Sequence, residues 1–313
     1  MVKWMEKLYD IIIIGAGPSG LSCALYAKRA NLNILIIEKE TPGGQLININ
    51  KIHNYPGYDE EDGASLAYKM YKQVTDLNVE FAFDEVINII VNDDIKIVET
   101  LSNRYNCKNV VVATGTTYAR LNVLNEKKYI GKGISYCAVC DGKFFQDKEI
   151  ACLVNNEHSL NEVMYLLKFA SYINLLALTD IKKFKLYDEI INTNKVTVIN
   201  IKKISKLYGD DTLTSIDILK ENDETINIKT NGLFVLTSSL PSNTFLSKYD
   251  IFTSNGYMSV NSNYESKING IFGIGDVINK ELRQVITACA DGAIVAQYIA
   301  NKRKWDYVFC ING

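Results

Sequence analysis

Two cysteines and an aspartate in the middle of the chain have the spacing of a redox site. Cys137 and Cys140 form a C-x-x-C pair, and Asp141 follows directly. Sulfurs at this spacing can close a reversible disulfide, and a thiol whose pKa is lowered by its surroundings becomes a nucleophile in disulfide exchange. A carboxylate beside such a dithiol can carry a proton as thiol and thiolate interchange. The spacing therefore predicts a redox-active dithiol with Asp141 as its candidate acid.

The same residues have two other interpretations, a zinc half-site and purely structural cysteines. Zinc normally takes four ligands, whereas the chain has no second C-x-x-C and only two histidines, His53 and His158. Zinc is therefore disfavoured, no metal is predicted, and both histidines are predicted to be surface or packing residues. Asp141 could also be a turn residue before Gly142. Five further cysteines stand alone and are predicted to pack as small apolar groups: Cys23, Cys107, Cys152, Cys289 and Cys310.

A second motif, near the N-terminus, has the spacing of a nucleotide-binding loop. Gly15, Gly17 and Gly20 form G-x-G-x-x-G between an apolar run that ends at Ile14 and a helical pattern. In such loops the first glycine allows a tight turn, the second lets a pyrophosphate approach the backbone, and the third lets helix and strand pack closely. Glu38 ends the next apolar run, where a carboxylate can accept a hydrogen bond from a ribose hydroxyl. The motif predicts a dinucleotide site, with a tight structural turn as the alternative.

The elements that carry these motifs repeat along the chain. A strand, a loop and a helix are predicted at residues 9–29 and again at 149–169. A strand that ends in a turn is predicted at 109–116 and again at 232–241. Strand-helix-strand units of this length imply parallel sheets with right-handed crossovers. We therefore predict an α/β fold of two Rossmann-like, three-layer ββα domains of nucleotide-binding type, the second inserted in the first.

Length and composition agree with two domains of ordinary size. The chain has 313 residues, 47% of them hydrophobic, and a net charge of −2. This charge gives no bulk positive field for nucleic acid, and no apolar run approaches the roughly 20 residues that span a bilayer. We therefore expect no nucleic-acid partner, no membrane span and a cytoplasmic protein. The first domain is predicted at residues 1–116 and 242–313, and the second at residues 117–241.

Seven short stretches form a combination that is typical of one protein family. They are GAGPSG (15–20), GGQL (43–46), NYPG (54–57), VVATG (111–115), CAVCDG (137–142), GIFGIGD (270–276) and RQVITACADG (283–292). Together they resemble the low-molecular-weight thioredoxin reductase family, and the resemblance covers essentially the whole chain. The most specific part is the combination of C-x-x-C-D-G with the G-D motif and the R-Q that follows it.

The resemblance implies that the first domain binds FAD and that the dithiol reduces the disulfide of thioredoxin. It implies that Cys140 faces the flavin, that Cys137 attacks the partner disulfide and that Asp141 is the acid. It also implies a homodimer, with hinge strands at 115–117 and near Pro241 that let the second domain rotate. The residues that it places at the flavin are Gly15, Gly17, Pro18, Ser19, Gly20, Glu38, Lys39, Gly44, Gln45, Leu46, Asn54, Thr114, Gly115, Gly275, Asp276, Arg283, Gln284 and Val285.

The second domain departs from the family at three places that the resemblance assigns to NADPH. Where the family has the glycines of a second nucleotide loop, this chain has Val154, Asn156 and Ser159. A Cβ hinders both the tight turn and the close approach of a pyrophosphate. Where the family has a basic His-Arg-Arg cluster for the 2′-phosphate, residues 177–179 are Ala-Leu-Thr, which cannot replace the donors of arginine. The third and milder change is Ser238 in place of a glycine.

These losses predict a thioredoxin reductase that does not bind NADPH, most like the ferredoxin-dependent flavin thioredoxin reductases. Electrons would then come from reduced ferredoxin, an acidic protein for which the lysine-rich stretches at 182–185, 202–206 and 301–304 are candidate docking sites. Two alternatives stay open: an NADPH-dependent thioredoxin reductase with an atypical nucleotide site, and a flavin-binding redox sensor with little turnover. The apolar tail at 305–313 is predicted to pack on its own domain, to dock on a partner subunit or to cover the flavin.

Overall fold

The chain folds into two compact units. The computed structural model describes residues 7–49, 51–59, 61–117, 120–237 and 240–311. The outer unit comprises Met1–Thr117 and Leu240–Gly313, and the inserted unit comprises Tyr118–Ser239. The inserted unit therefore interrupts the outer unit at a single point in the sequence.

Both units contain strands and helices. The strands are β1 Leu8–Ile14, β2 Ile34–Glu38, β3 Glu80–Phe83, β4 Val86–Asn92, β5 Ile95–Thr100, β6 Arg104–Val112, β7 Thr116–Thr117, β8 Ile134–Ser135, β9 Glu149–Val154, β10 Tyr172–Ala177, β11 Val196–Tyr208, β12 Ser215–Lys220, β13 Thr225–Lys229, β14 Leu233–Leu236, β15 Leu240–Pro241 and β16 Ile271–Gly273. The helices are α1 Pro18–Arg29, α2 Gly63–Thr75, α3 Glu126–Tyr129, α4 Ala138–Asp141, α5 Glu157–Leu166, α6 Tyr187–Ile191 and α7 Val285–Ile311. Short 3-10 turns occupy Gly44–Asn48, Gly142–Phe145, Thr244–Leu246 and Gly275–Val277.

The outer unit is built on a sheet with the strand order β3-β2-β1-β6-β5-β4, and β16 also pairs with β6. Strands β3, β2, β1, β6 and β16 run parallel, whereas β4, β5 and β6 pair antiparallel. The parallel part explains why β1 is a continuous isoleucine run, since strands of such sheets are buried on both faces. The carboxyl ends of β1, β2, β6 and β16 meet at one edge, which carries the predicted flavin residues.

Alternate residues of β1 belong to different hydrophobic clusters, as the two-residue period of a strand requires. Ile11 and Ile13 pack with residues of α1, α2 and α7. Ile12 and Ile14 pack with β4, β5 and the segment that follows β15. Helices therefore cover one face of the parallel sheet and antiparallel strands cover the other. This arrangement confirms the predicted α/β class with its ββα layers.

The inserted unit repeats the plan with the strand order β13-β12-β11-β10-β9-β14-β8. Strands β8, β14, β9, β10 and β11 run parallel, and β11, β12 and β13 pair antiparallel. In β9, Ile150, Cys152 and Val154 pack with α5 and α6, whereas Ala151 and Leu153 pack with β11 and β12. The second strand-loop-helix unit that the sequence predicts is therefore present.

Two short strands form the connections to the inserted unit. β7 and β15 pair antiparallel, with Thr116 opposite Pro241. These are the predicted hinge strands, and their movement stays a prediction. The sequence pattern predicts a last helix from about Gln284 to Asn301, but the backbone of α7 continues to Ile311. The side-chain contacts predicted for the tail at 305–313, and the change at Ser238, lie outside the described residues. No helix in the described part of the chain is long and apolar enough to cross a membrane.

Candidate active site

The glycine loop between β1 and α1 leaves room for a ligand at its middle position. Gly15 has a φ of +102°, and a Cβ there would lie 2.5 Å from the carbonyl oxygen of Ala113. A Cβ on Gly20 would lie 2.0 Å from the carbonyl oxygen of Gly15. By contrast, a Cβ on Gly17 would have no protein atom within 4 Å. The first and third glycines are therefore required by packing, and the second keeps an open approach to the backbone, as a pyrophosphate needs.

Glu38 ties this loop to the end of β2. Its carboxylate accepts a hydrogen bond of 2.7 Å from the backbone N–H of Ala16 and one of 2.9 Å from the N–H of Glu40. A second loop also approaches, because a Cβ on Gly44 would lie 3.2 Å from the Cα of Gly17. The structure therefore brings Gly17, Glu38 and Gly44 together at one edge of the sheet.

Three of the predicted flavin residues keep a buried polar atom without a hydrogen-bond partner among the described residues. These atoms are the Oγ1 of Thr114, the Oδ1 of Asp276 and the Nε of Arg283. Burial raises the pKa of Asp276, while Lys280 and Arg283 oppose the rise. Buried polar groups in native proteins normally have partners. A hydroxyl-rich, phosphate-bearing cofactor such as FAD would supply them, so the residues fit the group that the resemblance implies.

The remaining predicted flavin residues differ in what they contact. Asn54 donates a hydrogen bond of 2.9 Å to Gln284. Gln45 donates one of 3.5 Å to the carbonyl oxygen of Thr116. Lys39 is exposed and lies 3.8 Å from the carboxylate of Glu85. The others have backbone or packing roles. Pro18 begins α1, and Ser19 is buried beside Gly275. Gly115 has a φ of +62°, and Leu46 lies in a small core cluster against which Val285 packs.

A buried ion pair that sequence reasoning missed holds the Gly275 turn against α7. Asp291 accepts hydrogen bonds from the N–H of Gly275 at 2.9 Å and from the ammonium of Lys280 at 2.6 Å. The side chains of Lys280 and Asp291 are only 14% and 6% exposed. The signal available in the sequence was an aspartate inside an otherwise apolar helix, at the A-D-G of RQVITACADG.

In the inserted unit, Cys137 and Cys140 form a disulfide. Their Cα atoms are 5.3 Å apart. Cys137 is the N-cap of the single-turn helix α4, and its sulfur accepts a hydrogen bond of 3.1 Å from the N–H of Cys140. Both residues are partly exposed, so a partner can reach them. A closed, accessible disulfide at this spacing fits the predicted redox pair.

Asp141 is held beside this disulfide by Ser135. The hydroxyl of Ser135 donates a hydrogen bond of 2.7 Å to the carboxylate of Asp141. Burial raises the pKa of Asp141, and the bond from Ser135 opposes the rise. The same hydroxyl accepts a hydrogen bond of 3.1 Å from the N–H of Cys137. Ser135 was not among the residues predicted from sequence.

A buried carboxylate also supports the residue before Cys137. Glu126 accepts hydrogen bonds from the backbone N–H groups of Leu121 and Asn122, at 3.2 and 3.0 Å, and from the hydroxyl of Tyr136. Burial, followed by the bond to Glu126, raises the pKa of Tyr136. Glu126 therefore joins the segment that enters the inserted unit to the segment that carries the disulfide. No motif in the sequence pointed to it.

The disulfide segment rests on the core of the inserted unit through Phe145. The ring of Phe145 meets the ring of Phe234 edge-on, with centroids 5.0 Å apart. A Cβ on Gly232 would lie 2.2 Å from the Phe145 ring, and one on Gly142 would lie 3.0 Å from Leu166. Small residues at these two positions therefore let α4 and the following turn lie close to β14 and α5.

Burial disfavours the thiolate form of the four isolated cysteines whose side chains the structure describes. Burial raises the pKa of Cys23 and of Cys107 to about 12, and it raises that of Cys152 well above its usual range. Burial raises the pKa of Cys289 to about 11. Since thiolates are the reactive form, these thiols behave as packing groups. The side chain of Cys310 lies outside the described residues, and no three His, Cys, Asp or Glu side chains in the described part converge as a metal site.

Comparison with known proteins places the chain in a family. Residues 9–292 match the model described as pyridine nucleotide-disulphide oxidoreductase. The chain belongs to this family. It is 35% identical over 300 residues to the thioredoxin reductase of Bacillus subtilis, a match that covers 94% of each protein. It is also 35% identical over 301 residues to the thioredoxin reductase of Ureaplasma parvum, covering 94% of this chain and 96% of that protein.

A solved thioredoxin reductase has the same fold along nearly its whole length. The crystal structure of the enzyme from Streptococcus pyogenes superposes with a TM-score of 0.88 at 36% identity, and the match covers 95% of this chain and 98% of that one. These three relatives are thioredoxin reductases. The narrower resemblance to ferredoxin-dependent flavin thioredoxin reductases is not supported by them.

The loop between β9 and α5 carries side chains at the three positions where a nucleotide-binding loop would carry glycines. Val154 is completely buried as the last residue of β9. Asn156 caps α5, and its side-chain oxygen accepts a hydrogen bond of 2.9 Å from the N–H of Ser159. The hydroxyl of Ser159 donates to the carbonyl oxygen of Leu236. The glycines expected for a nucleotide are replaced by side chains that pack on and bond to the protein itself.

Two further features of this loop oppose a dinucleotide. A helix N-terminus binds phosphate through its free N–H groups, and Asn156 occupies one of these at α5. Glu157 is exposed in the first turn of α5, where its charge repels an anion. The chain turns here without positive φ, since φ of Asn156 is −152° and neither Val154 nor Asn155 is left-handed. The structure therefore gives the second loop no cradle that resembles the one at Gly17.

The lysine-rich stretches are partly engaged in local ion pairs. Lys202 pairs with Asp223 at 2.5 Å. Lys302 lies 3.3 Å from Glu265, and Arg303 lies 3.0 Å from Asp10. In the remaining stretch, at 182–185, all three lysines are exposed. Two of the three candidate docking sites are therefore partly neutralised within the chain.

Proposed function

We propose that this chain is a flavin-dependent disulfide reductase whose acceptor is thioredoxin. The observation that carries the proposal is the accessible Cys137–Cys140 disulfide, beside a carboxyl group whose pKa is raised by burial. It lies in a chain with 35% identity to a thioredoxin reductase over 94% of both lengths. A reductase of this kind needs a dithiol, an acid and a source of electrons. The first two are present in the inserted unit.

The outer unit holds FAD in this proposal. Gly17 and Gly44 leave the approach for the pyrophosphate, and Thr114, Asp276 and Arg283 offer the buried polar atoms that lack partners in the described protein. When bound, FAD supplies the two electrons that open the Cys137–Cys140 disulfide. The same proposal places the other predicted flavin residues at FAD. It assigns FAD binding to the outer unit and the redox dithiol to the inserted unit.

The chemistry on thioredoxin follows from the dithiol and its acid. The thiolate of Cys137 attacks one sulfur of the acceptor disulfide and forms a mixed disulfide, and the acceptor's other sulfur leaves as a thiolate. Cys140 then attacks Cys137 and releases the reduced acceptor. Asp141 holds the proton that is exchanged between the thiols during these steps. Homodimerisation and a cytoplasmic location remain predictions from the resemblance.

For the electron donor, the family favours a pyridine nucleotide. The matched family is named for pyridine nucleotides, and the relatives are standard thioredoxin reductases. This supports the alternative predicted from sequence, an NADPH-dependent enzyme with an atypical nucleotide site, over ferredoxin. A second candidate is a one-electron protein donor such as ferredoxin. It is favoured by one observation, the loop at 154–159 whose side chains occupy the place of a dinucleotide.

One anaerobic experiment separates these possibilities. The FAD-loaded protein is mixed with NADPH, NADH or reduced ferredoxin, and flavin bleaching and thioredoxin thiols are followed together. Rapid bleaching by micromolar NADPH establishes the pyridine nucleotide, whereas bleaching by reduced ferredoxin alone establishes the second candidate. If the flavin is bleached but no donor leads to reduced thioredoxin, the reductase proposal fails and the sensor alternative stands.

Variants test the assigned dithiol in the same assay. Cys140→Ser is expected to keep the flavin and to stop thioredoxin reduction with every donor. Cys107→Ala is the matched control, because that thiol is buried in the outer unit and takes no part in the proposed chemistry. Thioredoxin reduction by Cys140→Ser at the wild-type rate would refute the role of the pair.

A further inference from the structure

Among the described residues, Ser135 has the same local hydrogen bonds as Thr230 and Ser266 and also bonds to a carboxylate. At Ser135, Thr230 and Ser266, a buried hydroxyl accepts a bond from the N–H two residues later and lies within reach of that residue's carbonyl oxygen. At Thr230 and Ser266 the hydroxyl donates to that carbonyl oxygen, at 2.6 and 3.3 Å. At Ser135 the carbonyl of Cys137 is 3.2 Å away, and the carboxylate of Asp141 is nearer, at 2.7 Å.

A serine hydroxyl has one hydrogen to donate and two lone pairs to accept with. One lone pair of Ser135 takes the N–H of Cys137. The hydrogen can point either to the carboxylate of Asp141 or to the carbonyl oxygen of Cys137. If it points to the carbonyl, the second lone pair is left to accept a hydrogen bond from a protonated Asp141. The hydroxyl therefore has a complete set of partners with either form of the carboxyl group.

We propose that Ser135 is a positioning residue whose hydroxyl serves Asp141 in both of its protonation states, as a donor to the carboxylate and as an acceptor from the carboxylic acid. The inference rests on the proposed function, in which Asp141 is the acid of the dithiol. An acid that must gain and lose a proton in a partly buried place would otherwise leave a polar atom unpaired in one of its two states, which is costly.

Opening of the disulfide moves one proton from Asp141 to sulfur. An incoming thiolate attacks one sulfur of the Cys137–Cys140 pair, the S–S bond breaks, and the other sulfur leaves with the electron pair as a thiolate. The O–H of Asp141 gives its proton to that thiolate, and Asp141 becomes a carboxylate. The hydroxyl of Ser135 then turns from the carbonyl oxygen of Cys137 to the new carboxylate. Closing the disulfide reverses each step.

The surroundings of Ser135 and Asp141 contain other titratable groups, which are the same in every variant to be compared. These are Cys140 on α4 and Cys137 at its N-cap. The 3-10 turn that follows α4 carries Lys143. The helix α5, which packs against α4, carries Glu157, His158, Glu162 and Tyr165. The strand β14, which pairs with β8, carries none.

A direct titration of Asp141 tests the proposal. The full chain with its flavin is titrated by pH-difference infrared spectroscopy, and the protonated-carboxyl band that disappears in Asp141→Asn is followed. Ser135→Ala is expected to raise the midpoint of this band by about one pH unit, because the charge-assisted hydrogen bond lost by the carboxylate is stronger than the neutral one lost by the carboxylic acid. Ser135→Thr, which keeps the hydroxyl, is expected to leave the midpoint near that of wild type.

Ser266→Ala is the matched control, since it removes a buried hydroxyl with the same local bonds but no carboxylate partner. The proposal is overturned if Ser135→Ala moves the midpoint no further than Ser266→Ala does. Should Ser135→Ala fail to fold, Ser135→Gly, which removes the whole side chain, is titrated instead.

A double-mutant cycle shows whether Ser135 acts through Asp141. The rate at which dithiothreitol opens the Cys137–Cys140 disulfide is measured by counting free thiols after acid quenching. We expect Ser135→Ala to change the rate in wild type and to have no effect in the Asp141→Asn background. An equal effect in both backgrounds would show a merely structural role. Neither measurement needs thioredoxin or an electron donor, so both remain decisive if the proposed function fails.

Discussion

The amide of Asn54 donates a hydrogen bond of 2.9 Å to the side-chain oxygen of Gln284, across 230 positions of sequence. The bond joins the loop after the first 3-10 turn to the residue that precedes α7. Both residues are among those predicted to lie at the flavin. Because Asn54 is exposed, the pair contributes little to folding, and its main effect is expected to be on the shape of the cofactor site.

Asn54→Ala is therefore expected to weaken flavin binding without unfolding the protein. The loss should be about 2- to 10-fold in the Kd of FAD, as expected for one hydrogen bond. The measurement is the fluorescence of FAD titrated into flavin-free protein. Asn88→Ala is the control, because that amide pairs with Glu99 away from the predicted site. Equal Kd values for the two variants would show that the Asn54–Gln284 pair does not shape the site.

An added side chain is expected to weaken FAD binding at Gly17 and to lower the stability of the protein at Gly20. Gly17→Ala should leave the flavin-free protein as stable as wild type and weaken FAD binding, since its Cβ enters open space where the cofactor would lie. Gly20→Ala should destabilise the flavin-free protein by about 1–3 kcal/mol, because its Cβ meets the carbonyl of Gly15. Urea unfolding and FAD titration of both variants check this. Loss of stability in Gly17→Ala would count against an open cradle.

The Lys280–Asp291 pair is expected to be important for stability because both side chains are buried. Lys280→Met leaves the carboxylate of Asp291 without its cation, and breaking a buried pair in this way costs about 3–5 kcal/mol. Lys267→Met is the matched control at an ion pair with Asp250 whose side chains are 59% and 93% exposed, and it should cost at most about 1 kcal/mol. Urea unfolding measures both. Similar costs would mean that Asp291 is well solvated after the substitution.

Asp276 is expected to make the flavin-free protein sensitive to pH. Its pKa in the folded protein is raised, chiefly by burial, above the ordinary value of 3.8. A raised carboxyl pKa means that the folded state binds the proton more tightly, so the stability contribution is present below the ordinary pKa and is lost as pH rises through the folded pKa. Asp276→Asn should therefore gain stability relative to wild type near neutral pH, and the gain should shrink on acidification. Unfolding curves at several pH values give the difference, and a constant difference would exclude the charge as its cause.

Asn156 is expected to stabilise the inserted unit as a helix cap. Asn156→Ala removes the acceptor for the N–H of Ser159 and should cost about 1 kcal/mol. Asn161→Ala, at an exposed position on the same helix, is the control. Hydrogen exchange of the first turn of α5 reports the change locally. If the two variants behave alike, the cap contributes nothing and the N–H groups of α5 are available to an anion.

The local part of the architecture was predictable because it depends on patterns a few residues long. The isoleucine run of β1, the glycines after it and the C-x-x-C-D-G stretch each specify a turn or an element without reference to distant residues. The end of α7 was missed by ten residues, since no glycine or proline follows Asn301 until Gly313.

The parts that were missed depend on contacts between distant residues. Lys280 and Asp291 meet only when the Gly275 turn folds onto α7, and Glu126 meets Tyr136 only when the entering segment folds against β8. Ser135 was within six residues of Asp141, yet nothing in its type distinguishes it from the other serines of the chain. The electron donor could not be predicted for a different reason. The side chains at 154, 156 and 159 are visible in the sequence and argue against a nucleotide, whereas the matched family is described by its pyridine nucleotide.

Val154 ends β9 as a core residue, and Asn156 and Ser159 bind the protein's own backbone. The side chains of all three residues are therefore engaged within the inserted unit itself. Replacing these three residues by glycine would remove a buried side chain, a helix cap and a hydroxyl bond to β14. The substituted protein is therefore expected to fold less stably, whether or not its loop then admits a nucleotide.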